Sequence, residues 1–163
     1  MDTPEFILPI AETFNYLTVK YGLLGIALSM TAENVGVPFA SSVVVLTAGQ
    51  LIMTGELSWA LVILLSTAGI VLGSIISYLI GYFGKNIIKR KMNKFNEFFS
   101  RYGKYSIFMA QLYGTSRTFI SLPAGLARMK FLQFTISTAL GGLVFSAGLV
   151  LFSLIVYQTV DFL

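Results

Sequence analysis

Residues 57–84 and 131–160 contain no charged side chain. Each run is longer than the ~20 apolar residues that cross the hydrocarbon of a bilayer. A soluble domain carries about 25% charged residues; this chain of 163 residues carries 11%, with 56% apolar. That composition cannot supply the polar shell of a globule. It excludes an ordinary soluble enzyme, a disordered tail and a disulfide scaffold. It predicts an all-α polytopic membrane protein with simple spans over 57–83 and 131–160.

The positive charge is gathered in one place. Lys85, Lys89, Arg90, Lys91, Lys94, Arg101 and Lys104 stand against a single Glu97. Positive charge between apolar segments marks the cytoplasmic side, so 85–104 is predicted to be a cytoplasmic loop of a multi-pass membrane protein. Phe95, Phe98, Phe99 and Tyr102 recur at helical spacing, so part of the loop is expected to lie as an amphipathic helix on anionic headgroups. No groove-reading motif accompanies it, and no nucleic-acid partner is expected. Residues 1–20 place Phe6, Ile10, Phe14 and Leu17 at helical spacing among Asp2, Glu5 and Glu12. They read as an interfacial amphipathic helix starting near Pro4, without the basic n-region and cleavage site of a signal peptide.

The two remaining apolar regions are interrupted. Residues 21–55 contain Glu33 within Glu33-Asn34-Val35-Gly36-Val37-Pro38, and residues 105–129 contain Arg117 within Gly114-Thr115-Ser116-Arg117-Thr118. Gly and Pro interrupt helices, and backbone groups freed inside a membrane must be satisfied by protein or water. Both regions therefore read as re-entrant helical hairpins, with breaks expected at Gly36, Pro38 and Gly49 and at Gly114, Pro123 and Gly125. Arg128 and Lys130 stay on the side of the basic loop only if the second hairpin enters and leaves on that face. Lys20 and Glu56 flank the first hairpin, which suits the opposite face.

The order "hairpin, then span" occurs twice: hairpin 21–55 with span 57–83, and hairpin 105–129 with span 131–160. Each hairpin ends in Ala-Gly-x-x-x-Met, at Ala48–Met53 and at Ala124–Met129. Opposite entry of two like units predicts an inverted repeat, in which broken helices meet at a midplane site. Gly69, Gly73, Ser77 and Gly81 recur every four residues, as do Thr138, Gly142 and Ser146. Small residues at that spacing allow close helix contact, either within the chain or in a homodimer.

The chain has no Cys and no His, and its Asp residues, Asp2 and Asp161, lie at the two ends. Without a nucleophile–base pair or a carboxylate dyad, no enzyme activity, metal or cofactor is expected. Glu33 and Arg117 are the charges placed deep in the hairpins. Intramembrane charges usually line pathways, although an ion pair locking the hairpins together would also account for them. A guanidinium offers a fork of donors matched to phosphate. Thr115, Ser116 and Thr118 would add hydroxyl donors, and Asn34 and Gln111 are further polar candidates for substrate binding.

The stretches Glu33 to Gly49, Gly69 to Gly84 and Ser116 to Met129 resemble the DedA family, also described by its VTT domain. The resemblance runs over about 21–160. It implies two oppositely entering hairpins around a central cavity, and translocation of lipids such as undecaprenyl phosphate or phosphatidylethanolamine. The chain departs from the family pattern where a second acid commonly stands (Ala40-Ser41-Ser42), where a second Arg stands (Gln111), where a Pro stands (Gly114) and where another acid stands (Ser74). One acid and one base remain. A zwitterionic headgroup, with phosphate on Arg117 and amine near Glu33, fits that count, so phosphatidylethanolamine is the expected substrate. Undecaprenyl phosphate is the first alternative and a proton- or ion-coupled small solute the second. The expected partner is membrane lipid, bound through its headgroup phosphate.

Overall fold

The computed structural model describes residues 7–37, 40–84 and 92–160, and among them the secondary structure is helical throughout. The helices are α1 (Ile7–Tyr21), α2 (Leu23–Val35), α3 (Ala40–Met53), α4 (Trp59–Gly84), α5 (Met92–Leu112), α6 (Gly114–Leu126) and α7 (Phe131–Val160). With 26 and 30 residues, α4 and α7 are about 39 and 45 Å long, enough to cross ~30 Å of hydrocarbon. With 13, 14 and 13 residues, α2, α3 and α6 reach only about 20 Å.

The long helices expose apolar side chains and bury polar ones among their apolar core residues. Leu64, Leu72 and Ile80 on α4, and Leu132, Leu140 and Leu151 on α7, are exposed. Ser66, Ser74 and Ser77 on α4, and Thr138, Ser146 and Ser153 on α7, are buried. This inverts the arrangement of a water-soluble helix and suits a lipid surround.

The packing is organised by pairs. α2 lies on α4 and α5 lies on α7, while α6 crosses to α4, α3 crosses to α7, and α4 packs on α7. Exchanging α2–α3–α4 for α5–α6–α7 leaves that scheme of principal contacts unchanged. Glycine makes the close approaches. A Cβ on Gly69 would lie 2.3 Å from the Ala27 carbonyl oxygen, and one on Gly73 would lie 2.4 Å from that of Thr31. A Cβ on Gly81 would lie 2.2 Å from the Leu122 carbonyl oxygen. The small-residue stripe of α4 is thus spent inside the chain, its first part on α2 and its last part on α6.

Two apolar clusters form. Ile26, Met30, Ala48, Val62, Ile70 and Val150 gather at one end. Tyr78, Ile107, Ala124, Met129 and Phe134 gather at the other. Along α4 the buried Ser74 lies between the two, and along α7 Ser137, Thr138 and Ser146 do, so a polar layer lies between them; Phe145 packs against the first cluster.

Several predicted boundaries move. α1 matches the expected N-terminal helix, with Phe14 and Thr18 buried and the Thr47 hydroxyl of α3 donating to Asn15 Oδ1 at 3.0 Å; its expected start near Pro4 lies outside the described residues. The expected change from basic loop to hairpin at 105 falls inside α5, which runs unbroken from Met92 to Leu112. The side chains of Phe95, Phe98 and Phe99 lie outside the described residues, and Tyr102 is exposed.

Of the six expected breaks, Gly36 is one. It ends α2 at φ 128°, its N–H donating to Ala32 and Glu33 carbonyls, a left-handed cap that glycine adopts without strain. Gly114 opens α6 immediately after Tyr113, which separates it from α5. Pro38 lies outside the described residues. Gly49, Pro123 and Gly125 are not breaks, since α3 and α6 run through them. At Pro123 the helix forgoes one backbone hydrogen bond and continues to Leu126. Gly49 and Gly125 serve close approach instead: a Cβ would lie 2.0 Å from Ser153 Oγ on α7 in the first case and 2.0 Å from the Tyr78 carbonyl oxygen on α4 in the second. The two Ala-Gly-x-x-x-Met segments are the points where each short helix docks on the long helix of the other half.

Candidate functional site

Glu33 sits in the last turn of α2, and the Gly36 cap turns the chain back into α3. That return brings the first turn of α3 over the carboxylate. The Ser41 backbone N–H donates to Glu33 Oε2 at 2.6 Å, and the Ser41 hydroxyl donates to Oε1 at 2.9 Å. The first four N–H groups of a helix have no partner within it, and a negative charge there is favoured by the helix dipole. Glu33, on α2, therefore caps the start of α3.

Arg117 lies in the first turn of α6, its N–H bonded to the Tyr113 carbonyl at 3.2 Å. Its Nη2 is 2.7 Å from Glu33 Oε1. The first turns of α3 and α6 thus converge on one carboxylate. In the register that lays Gly49 on Gly125, Ser41 lies on Arg117, so the two groups holding Glu33 occupy corresponding positions.

The guanidinium is 0% exposed and lies 4.1 Å from the centre of the Phe145 ring on α7, within cation–π range. The contact with Glu33 is close but not aligned as a hydrogen bond. Nε, Nη1 and Nη2 all lack a hydrogen-bond partner among the described residues. A buried donor left unmade costs about 1–3 kcal/mol, more for a charged group. The carboxylate is nearly saturated, whereas the guanidinium retains donor capacity on two nitrogens that make no charge contact. Electrostatically the pair is lopsided in favour of an incoming anion.

Gln111 on α5 is fully buried, and neither its amide nitrogen nor its oxygen has a partner among the described residues. It packs against α7, where a Cβ on Gly141 would lie 2.6 Å from Gln111 Cβ. Gly141 and Phe145 are one turn apart, so Gln111 and Arg117 lean on neighbouring positions of α7. Ser121, Thr138 and Ser146 are likewise buried, their hydroxyls without a partner among the described residues. The interior between the apolar clusters is a polar layer with unspent hydrogen-bonding groups.

The sequence-predicted residues divide accordingly. Glu33 and Arg117 are brought into contact, and Gln111 joins them against α7. Asn34 is directed elsewhere: its amide donates to the Met30 carbonyl at 2.9 Å and its Oδ1 accepts from Ser74 Oγ at 3.4 Å. Its carbonyl takes the Ser77 hydroxyl at 2.8 Å, so Asn34 clasps α2 to α4. Thr115, Ser116 and Thr118 lie on α6 on either side of Arg117, but their side chains lie outside the described residues. Sequence reasoning missed Ser41, which it registered only as an absent acid; the signal was a hydroxyl eight residues after Glu33 at the start of an apolar helix. Phe145 carried no signal in an apolar span.

The VTT domain matches residues 37–154. An uncharacterized membrane protein of Synechocystis is 28% identical over 147 residues, covering 83% of this chain and 67% of that protein. An alkaline phosphatase-like protein of Lactococcus lactis is 30% identical over 148 residues, covering 80% and 69%. The undecaprenyl phosphate transporter A of Bacillus subtilis is 29% identical over 142 residues, covering 80% and 69%. No solved structure matches the chain. With two helices apolar and long enough to cross a bilayer, a polar interior and a VTT match over most of its length, the chain is a membrane protein and belongs to the VTT-domain family, the DedA family of the sequence resemblance.

Proposed function

We propose that this chain moves a phosphate-bearing lipid between the leaflets, the headgroup passing Arg117 at the midplane while the hydrocarbon stays in the bilayer. The observation that carries the reading is the guanidinium itself: wholly buried, in charge contact through one nitrogen, with Nε and Nη1 lacking an acceptor among the described residues. An anion matches that edge, and the first turns of α3 and α6 add positive dipole ends. α2–α3–α4 and α5–α6–α7 form inverted repeats in this reading, and the short helices form re-entrant hairpins. Their ~20 Å reach, the exchange symmetry of the packing and the matched roles of Gly49 and Gly125 support it. Residues 85–104 lie on the cytoplasmic side by their positive charge.

The favoured substrate is a single-phosphate polyprenyl carrier of the undecaprenyl phosphate type. Phosphatidylethanolamine, the substrate expected from charge counting, needs Glu33 to accept an amine. Both Glu33 oxygens are engaged, by Ser41 and by Arg117. The printed name of the Bacillus relative supports the same choice.

The test is reconstitution into vesicles with fluorescent polyprenyl phosphate and, separately, fluorescent phosphatidylethanolamine, read as protection from a membrane-impermeant quencher. Exchange of the polyprenyl phosphate should be fast with the wild type and lost in Arg117→Met. Equal exchange with both proteins refutes the reading, and exchange of phosphatidylethanolamine alone reverses the substrate. The name of the Lactococcus relative makes hydrolysis the rival, and release of inorganic phosphate in the same vesicles would establish it.

A further inference from the structure

A second feature lies at the far end of α4 from Trp59. A cavity of about 400 Å³ opens beside the turn joining α6 to α7, lined by Tyr78, Tyr82, Phe83, Arg128, Met129 and Phe131 among others. Its wall is fixed from inside. The Tyr78 hydroxyl donates to the Met129 carbonyl at 2.6 Å, and the Tyr78 ring packs on Phe134 at 4.7 Å between centroids and on Phe131 at 5.8 Å. Its outer edge is apolar and open, with Phe83 and Phe131 exposed.

Among the described residues, Arg128 is the cation that lines this cavity. It adopts φ 53°, a left-handed conformation that non-glycine residues avoid. The conformation closes the turn, with the Arg128 N–H bonded to the Gly125 carbonyl and the Met129 N–H to that of Ala124. It also sets the guanidinium over the Tyr82 ring, 5.1 Å from its centre. Glycine would close the same turn without strain; an arginine there places a charge against an aromatic wall at the end of a membrane-spanning helix. Rings and a cation at that depth match a headgroup above and hydrocarbon below.

We propose that this cavity docks the phosphate of a membrane lipid on Arg128, with the start of its hydrocarbon against Phe83 and Phe131. The inference rests on the membrane assignment and on the phosphate-lipid class proposed above, but not on transport. Charge complementarity and the exposed aromatic edge commit the occupant to a bilayer lipid rather than a soluble anion. The site is separate from Arg117, eleven residues earlier on the same helix and turn, and lies on the face where the lipid would begin or end its path.

The test uses tryptophan quenching by brominated lipid. The single Trp is moved by Trp59→Phe with Phe83→Trp, and the full chain is reconstituted in phosphatidylcholine vesicles containing brominated phosphatidic acid or brominated phosphatidylcholine. The reporter should show about five-fold enrichment of phosphatidic acid, the effect of one cation at a membrane surface. Arg128→Gly should abolish the enrichment while keeping the fold, since glycine tolerates the φ of this turn. Lys130→Gln, a neighbour that does not line the cavity, should keep it within two-fold. Millimolar inorganic phosphate should not displace the lipid. Equal quenching by both lipids, enrichment that survives Arg128→Gly, or loss equal in Lys130→Gln overturns the proposal. Displacement by inorganic phosphate overturns the lipid assignment. Lipid exchange measured in the same vesicles separates the two readings: lost exchange with retained enrichment sinks transport and leaves docking intact.

Discussion

Replacing Glu33 with glutamine tests the lopsidedness of the central pair. The amide keeps the shape and one acceptor oxygen for Ser41, but it removes the charge that faces a wholly buried Arg117. Breaking a buried pair from one side costs 3–5 kcal/mol, and the retained hydrogen bond places Glu33→Gln near about 3. The effect on an anion has the opposite sign. A phosphate on the free Nε–Nη1 edge would lie about 7 Å from the carboxylate, across the guanidinium, where two unit charges repel by about 2 kcal/mol at an effective dielectric of 20. Removing the carboxylate should therefore tighten phosphate-lipid binding by about 30-fold, since 1.36 kcal/mol is tenfold. Thermal unfolding in detergent, with and without polyprenyl phosphate, reads both effects. Without lipid the variant should melt earlier than wild type; with lipid it should recover more than wild type gains. Exchange in vesicles should slow, because the tightened headgroup leaves slowly. Unchanged or weaker phosphate affinity in Glu33→Gln would refute the argument, and weaker binding of phosphatidylethanolamine together with it would restore Glu33 as an amine acceptor.

Three further outcomes follow from the same geometry. Arg117→Lys should hold Glu33 with its single ammonium but present no second donor edge, so exchange should fall at least about tenfold while the fold survives; wild-type exchange would count against a forked phosphate contact. Gly125→Ala should destabilise by about 1–3 kcal/mol, because its Cβ meets the Tyr78 backbone carbonyl at 2.0 Å. Gly49→Ala should cost less, because its nearest obstacle is the Ser153 hydroxyl, a side chain that can turn; equal losses in melting temperature would contradict the distinction. Ser41→Ala removes the hydroxyl bond to Glu33 and spares the backbone N–H, so a loss of about 1 kcal/mol in unfolding free energy is expected.

The long elements were legible because their signal is averaged over many residues. α4 and α7 appear in the sequence as uncharged runs, and the structure shifts the predicted ends of α4 by only one or two residues. The pairing of Glu33 with Arg117 was legible because two opposite charges in apolar surroundings have few other partners. What failed was single-residue punctuation. In the sequence Gly49 and Gly125 look like chain breaks, but a missing Cβ also permits helix contact, and only the neighbour across the interface distinguishes the two uses. Pro123 looks like one too, although a helix packed on α4 can carry one lost hydrogen bond. Ser41 was invisible because its role depends on the turn at Gly36, which folds residue 41 back over residue 33. Charge places a boundary at 105, but the charged run ends at Lys104 inside α5 without ending the helix.

The arrangement of partners around Glu33 also implies how binding would be coupled to movement. Glu33 is tied to α3 by two hydrogen bonds from Ser41 and to α6 by one charge contact from Arg117. The first tie joins α2 to α3, its neighbour in the chain, and the second joins α2 to α6. An anion arriving at Arg117 competes with Glu33 for the same cation and leaves Ser41 untouched. It would therefore weaken the link between α2 and α6 while the link between α2 and α3 is kept. A pair with two acids and two bases would not divide in this way, because each charge would retain a partner when one contact was lost. The single acid and single base make the α2–α6 contact depend on whether the headgroup is present, and a ligand that binds the separated state better than the joined one shifts the population toward it.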